Sequence, residues 1–143
     1  MKAEKIDRVH VAVKDMDKAI KFFSEVLGTT FGEPLVDEAV GIKVVFSPIG
    51  VELVESISPD SAFAKFIEKR GEGLYSLTFK VPDIEAAIEE YTARGIRLAA
   101  RTGSPKAREA QFHPKDSFGV SIVLTEYQAV HGAEIAGREK PTK

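Results

Sequence analysis

The chain has 143 residues, 43% hydrophobic and 29% charged, and its 20 basic and 22 acidic residues leave a formal charge of -2. That suits one soluble globular domain with a real core and gives no electrostatic case for binding nucleic acid. Cysteine is absent and histidine occurs only as His10, His113 and His131, which removes disulfides, thiolate catalysis and cysteine-held metals and leaves metal chemistry to lean on carboxylates. In chain order, Ile6 to Val13 is rich in β-branched and apolar residues and predicts a strand. Asp15 can cap a helix that runs to Leu27, with Ala19, Ile20, Phe23 and Leu27 on one face and Gly28 as its stop. Thr29 to Val36, Gly41 to Ser47 and Val51 to Ser56 read as strands, punctuated by Pro34, Pro48 and Gly50. Pro59 to Arg70 predicts a short helix capped by Ser58 or Asp60, with Phe63, Phe66 and Ile67 at helical spacing. Leu74 to Val81 is a second strand of the first kind. Asp83 caps a helix to Arg94 with Ile84, Ala87, Ile88 and Tyr91 on one face, and Gly95 ends it. Ile96 to Arg101, Glu109 to His113 and Gly119 to Tyr127 read as strands, broken at Gly103-Ser104-Pro105 and Pro114-Lys115-Asp116. Periodicity is weak in the tail 129–143, which is expected to be loose. No apolar run approaches the ~18 residues of a membrane span. The charged start, Met1 to Lys5, holds no signal-peptide core. The expectation is a cytoplasmic protein with no membrane or nucleic-acid partner.

The chain repeats itself. Val13-Lys14-Asp15-Met16-Asp17-Lys18-Ala19-Ile20 returns as Val81-Pro82-Asp83-Ile84-Glu85-Ala86-Ala87-Ile88, and Phe23 and Tyr91 extend the match at the same offset. Each half reads as strand, helix, three strands. The expected organisation is a first βαβββ module over 1–57, a connecting helix over 58–72 and a second module over 73–128, in one α+β domain. Two such modules can curl edge to edge into a partly open mixed sheet, with helices outside and a ligand cavity within.

On that repeat stand Gly50-Val51-Glu52-Leu53-Val54-Glu55, Ser58-Pro59-Asp60-Ser61, the run from Ala64 to Leu74, and His113-Pro114-Lys115-Asp116. In this order they resemble the vicinal oxygen chelate superfamily of glyoxalases, bleomycin-resistance proteins and dioxygenases, and within it the methylmalonyl-CoA epimerases. The resemblance implies a small, usually dimeric enzyme. It implies one divalent metal held in the cavity by two histidines and two carboxylate or amide side chains, to stabilise an enolate formed beside a thioester. Carried over position by position, the first histidine falls seven residues before Asp15, at Arg8, and the second seven before Asp83, at Ser76. The third ligand falls at Glu52 and the fourth, ten after His113, at Val123. Of these, Glu52 alone is a donor of the implied kind. A two-residue slip would bring His10 to the first position, but the ungapped match sets Arg8 against Ser76 and gives no reason for a bulge. His10 with Glu52 would still make two ligands where a catalytic ion usually has three protein donors. A cavity without metal or other cofactor is therefore expected.

The substitution is chemically suggestive. Arg8 either pairs with Glu52 or grips a ligand carboxylate in a bidentate fork. Strand alternation makes Arg8, Ser76, Thr78, Gln111, His113 and Ser121 the substrate-binding candidates, and His10 and Glu52 the candidate acid–base groups. His113 has a second reading, fixing the turn at Pro114. Glu55 and Glu126 point to the other face by parity and are expected to be solvated, and Phe22, Phe23, Phe63 and Phe66 to be core or dimer contacts. The functional expectation is a homodimeric, metal-free isomerase or epimerase relative that binds a small carboxylate or acyl thioester. The alternative is a metal-free protein that sequesters a small molecule.

Overall fold

A computed structural model describes residues 1–128; the tail 129–143, with His131, lies outside the described residues. The β-branched run that heads each repeat forms β1 (Lys5–Val13) and β5 (Gly73–Lys80). Each is followed by a capped helix, α1 (Met16–Leu27) and α3 (Ile84–Ala93). Asp15 and Asp83 accept the backbone N–H of Lys18 and Ala86 at 3.1 and 3.0 Å, satisfying one orphan donor at each helix start. The first repeat continues with β2 (Leu35–Asp37), β3 (Ile42–Phe46) and β4 (Val51–Ser56). The second continues with β6 (Leu98–Ser104), β7 (Ala107–Phe112) and β8 (Ser121–Glu126). The helix α2 (Ala62–Arg70) connects them.

All eight strands form one sheet in the order β2-β3-β4-β1-β5-β8-β7-β6. Within each repeat the leading strand pairs in parallel with the last, β1 with β4 and β5 with β8, and an antiparallel β1–β5 pair joins the halves. Each long helix covers its own half. Met16, Ala19, Ile20 and Phe23 of α1 pack on Val13, Val45 and Leu53. Ile84, Ala87 and Ile88 of α3 pack on Ala110, Phe112 and Leu124. Two apolar clusters, one per repeat, thus hold an α+β fold whose curled sheet faces its cavity on the side away from α1 and α3. No helix among the described residues is long and apolar enough to cross a membrane.

The structure revises several elements. The strand expected over Thr29 to Val36 is paired only at Leu35–Asp37, because Pro34 has no N–H to give a ladder. The second hairpin is longer than expected: β6 runs through Gly103 to Ser104 and turns at Pro105 and Lys106. Gly103 permits this with φ 87°, where a Cβ would stand 2.1 Å from the Ala107 carbonyl oxygen. The cap of α2 is Ser61, whose hydroxyl accepts from Ala64 N at 3.0 Å, rather than Ser58 or Asp60. Ser58 instead turns the chain, its carbonyl bound by the Ser56 hydroxyl at 2.6 Å. Glu55 and Glu126 leave the cavity face as parity requires, yet they are not simply solvated. Each accepts the first backbone N–H of its own repeat's helix, Met16 N at 2.7 Å and Ile84 N at 2.8 Å. A carboxylate there also meets the positive end of the helix dipole. Lys43 pairs with Glu55 at 3.3 Å and Arg108 with Glu126 at 2.8 Å, so the repeat preserves the whole arrangement.

Candidate functional site

The concave face encloses a cavity of about 380 Å³. One wall is apolar, from Leu35 and Val36 on β2, Ile42, Val44 and Phe46 on β3, and Phe63 on α2. Phe63 thus lines the cavity: it stacks on Tyr75, ring centroids 4.1 Å apart, and closes the wall. The polar lining comes from Arg8 and His10 on β1, Glu52 on β4 and Ser76 on β5, around the junction of the repeats, and from Glu109 and Gln111 on β7.

Two irregularities in the β1–β5 pair arrange this lining. The register shifts between Ile6 and Arg8, leaving Asp7 as an extra residue on β1, and shifts back at His10 and Val11, leaving Tyr75 extra on β5. The expectation of an unbulged match is thus corrected. Between the bulges His10 faces Ser76 and Arg8 faces Thr78, and on the other side His10 is also in register with Glu52. The first bulge lets the consecutive side chains of Asp7 and Arg8 meet, which strict alternation forbids.

Arg8 is 7% exposed and gives each of its guanidinium nitrogens to a carboxylate. Nε donates to Glu52 at 2.8 Å, Nη1 to Asp7 at 2.9 Å, and Nη2 to Glu109. Asp7 also accepts the hydroxyl of Tyr127. Burial opposes the charge of Arg8, but Glu109 and Glu52 outweigh it and raise the guanidinium further above its ordinary range. Burial likewise pushes the Glu52 carboxyl up, while His10 first and Arg8 next overcome it and hold Glu52 at about 2. His10 Nδ1 bonds the Ser76 hydroxyl. Its Nε2 lies 2.9 Å from Glu52 Oε1, the distance of an ion pair without the alignment of a hydrogen bond, so this buried nitrogen has no hydrogen-bond partner among the described residues.

The cavity brings together Arg8, His10, Glu52, Ser76 and Gln111, and leaves out three candidates. Thr78, the cross-strand neighbour of Arg8, is fully buried and too short to reach the lining. Ser121, in register with Ser76 at the start of β8, does not line the cavity. His113 lies past the end of β7, where alternation no longer holds, and its Nδ1 accepts Lys115 N at 3.1 Å, fixing the turn at Pro114. Arg8 as a free grip for a ligand carboxylate is also corrected, since its nitrogens already have partners. Sequence reasoning missed Glu109, although it shares the face of Gln111 two residues on. It missed Asp7 and Tyr75 because bulges carry no periodicity signal.

The donors present do not fit a four-ligand divalent site. Arg8, Ser76 and Val123 stand at three of the positions the resemblance implies, and the fourth, Glu52, already shares one oxygen between Arg8 and His10. Among the described residues no group of three or more His, Asp or Glu is placed to hold one ion.

A doubled βαβββ sheet around a cavity at the junction of its halves defines a class. The family model for the Glyoxalase/Bleomycin resistance protein/Dioxygenase superfamily matches residues 7–113, and the chain belongs to that superfamily. Within it, the chain is 31% identical over 129 residues to the mitochondrial methylmalonyl-CoA epimerase of Bos taurus, covering 85% of this chain and 74% of the bovine one. A methylmalonyl-CoA epimerase solved with methylmalonyl-CoA and NH4+ superposes with a TM-score of 0.82 at 27% identity, covering 91% of this chain and 99% of that one. A variant of the Streptomyces coelicolor methylmalonyl-CoA epimerase, solved with 2-nitronate-propionyl-CoA, gives 0.81 at 27% identity over 92% and 99%.

Proposed function

We propose that this chain is an epimerase-like enzyme that moves a proton at the carbon beside the carbonyl of an acyl thioester, and does so without the divalent metal that the family resemblance implies. The observation that carries the reading is the contact set of His10 in the polar lining of the cavity. Ser76 fixes Nδ1, Glu52 stands beside Nε2, and Nε2 has no hydrogen bond among the described residues. If Ser76 donates to Nδ1, the proton of a neutral imidazole resides on Nε2, which is then an acid. If Ser76 accepts, Nε2 presents its lone pair and is a base. In the second state Nε2 takes the proton as a base and, as the N–H of the imidazolium, returns it as an acid, with Nδ1 held by Ser76 throughout, which is the proton exchange this reaction class needs. Glu52, ionised down to about 2, stabilises the imidazolium formed when Nε2 takes the proton. Similarity to epimerases supports the reaction class, and the donor set supports metal independence.

The test is deuterium uptake from D2O into the position beside the carbonyl of acyl-CoA esters, on protein stripped with chelator and assayed for metal content. Exchange should survive stripping and fall at least about a hundredfold in His10→Gln, as loss of a general acid–base group does. A stoichiometric, tightly held divalent ion whose removal abolishes exchange would overturn the metal-free reading. Ligand binding without exchange in any ester would favour the alternative, a protein that sequesters its ligand.

A further inference from the structure

The cavity carries more negative than positive charge. Among the described residues that line it, Arg8 is the one permanent cation, against Asp37, Glu52 and Glu109. Asp7, outside the lining, adds another carboxylate to the same guanidinium. A ligand carboxylate approaching Arg8 must either displace Glu109 or Glu52 or stand beside them. Like charges brought together where water is scarce cost at least tenfold in affinity. The apolar lining from Leu35, Val36, Ile42 and Val44 offers such a group nothing, but suits a hydrocarbon chain. Glu52 also serves His10, whereas Glu109, which lines the cavity from β7, serves Arg8.

We propose that Glu109 sets the ligand class of this cavity: by occupying Arg8 it turns the site away from dicarboxylic acyl groups and toward uncharged, apolar acyl groups with their stereocentre beside the carbonyl. This rests on the thioester reading above and names its substrate class. Glu109 acts by charge and position, and Gln at 109 can still accept from Arg8 while removing the negative charge.

The experiment compares two esters with the same CoA handle, 2-methylbutyryl-CoA and methylmalonyl-CoA, by calorimetric titration of the wild type and Glu109→Gln. The wild type should bind 2-methylbutyryl-CoA at least about tenfold more tightly. Glu109→Gln should close most of that gap by tightening methylmalonyl-CoA, with 2-methylbutyryl-CoA within about twofold of its wild-type value. Equal or tighter binding of methylmalonyl-CoA by the wild type overturns the inference, as does an unchanged ratio in Glu109→Gln. The expected preference without deuterium uptake would defeat the enzymatic reading and leave the charge selection standing. If neither ester binds, the thioester reading has failed. The same ratio measured with 2-methylbutyramide and methylmalonate then decides for or against Glu109.

Discussion

Replacing Arg8 with methionine keeps much of the side-chain bulk and removes the guanidinium. Three carboxylates, Asp7, Glu52 and Glu109, then share a buried region without their cation. A unit pair at ~4 Å is worth about 4 kcal/mol at an effective dielectric constant of ~20, so the gross attraction at Arg8 is on the order of 10 kcal/mol. Desolvation of the buried ions cancels most of this, and removing one partner from a buried pair costs about 3–5 kcal/mol net. Against a typical domain stability of ~5–15 kcal/mol, Arg8→Met should lose a large share of the whole. Urea unfolding of both proteins at neutral pH measures the difference. The pH dependence adds a second check. Glu52 in the folded wild type is held at about 2, below its ordinary 4.5, so its stabilisation is complete above 4.5 and is lost as pH falls toward 2. In Arg8→Met the carboxylates have lost their cation, and acid neutralises a repulsion instead of breaking a pair. The gap between variant and wild type should therefore narrow below pH 4.5. A loss under about 1 kcal/mol, typical of an exposed pair, or a gap that widens in acid, would refute this account of the cluster.

Glu55→Ala and Glu126→Ala should each cost about 0.5–2 kcal/mol by freeing the first N–H of α1 and α3, and their effects should add, because they serve separate halves of the sheet. Changes of a few tenths in chemical denaturation would return both carboxylates to the merely solvated role that alternation suggests. Gly103→Ala places a Cβ 2.1 Å from a carbonyl oxygen at φ 87°, and should cost at least about 1–3 kcal/mol in thermal or urea unfolding. A neutral result would mean that the β6–β7 hairpin is not held in this turn.

Much of the fold is legible because it is local. Asp15 and Asp83 cap helices, their apolar faces recur at helical spacing, and β-branched runs precede them, so a doubled βαβββ unit follows from short stretches of chain. Pairing strength is less local. Pro34 shortens β2, and Gly103 lengthens β6, according to ladder partners that lie elsewhere. Alternation placed Arg8, His10, Glu52, Ser76 and Gln111 on the concave face, and it holds wherever a strand is regular. It fails at His113, where the strand has ended, and at Asp7 and Tyr75, where bulges shift the count by one.

The sequence by itself determined the repeat, the α+β class and that Arg8, Ser76 and Val123 stand at positions where the resemblance implies metal donors, because these depend only on residue identity and short-range order. Tertiary structure alone decided what stands there instead. Three strands from both repeats must meet before one guanidinium can bind carboxylates from β1, β4 and β7, and two bulges must offset each other before His10 sits between Ser76 and Glu52. The charge balance of the cavity is a sum over residues up to 102 positions apart (Asp7 to Glu109), and no local pattern in the chain encodes it.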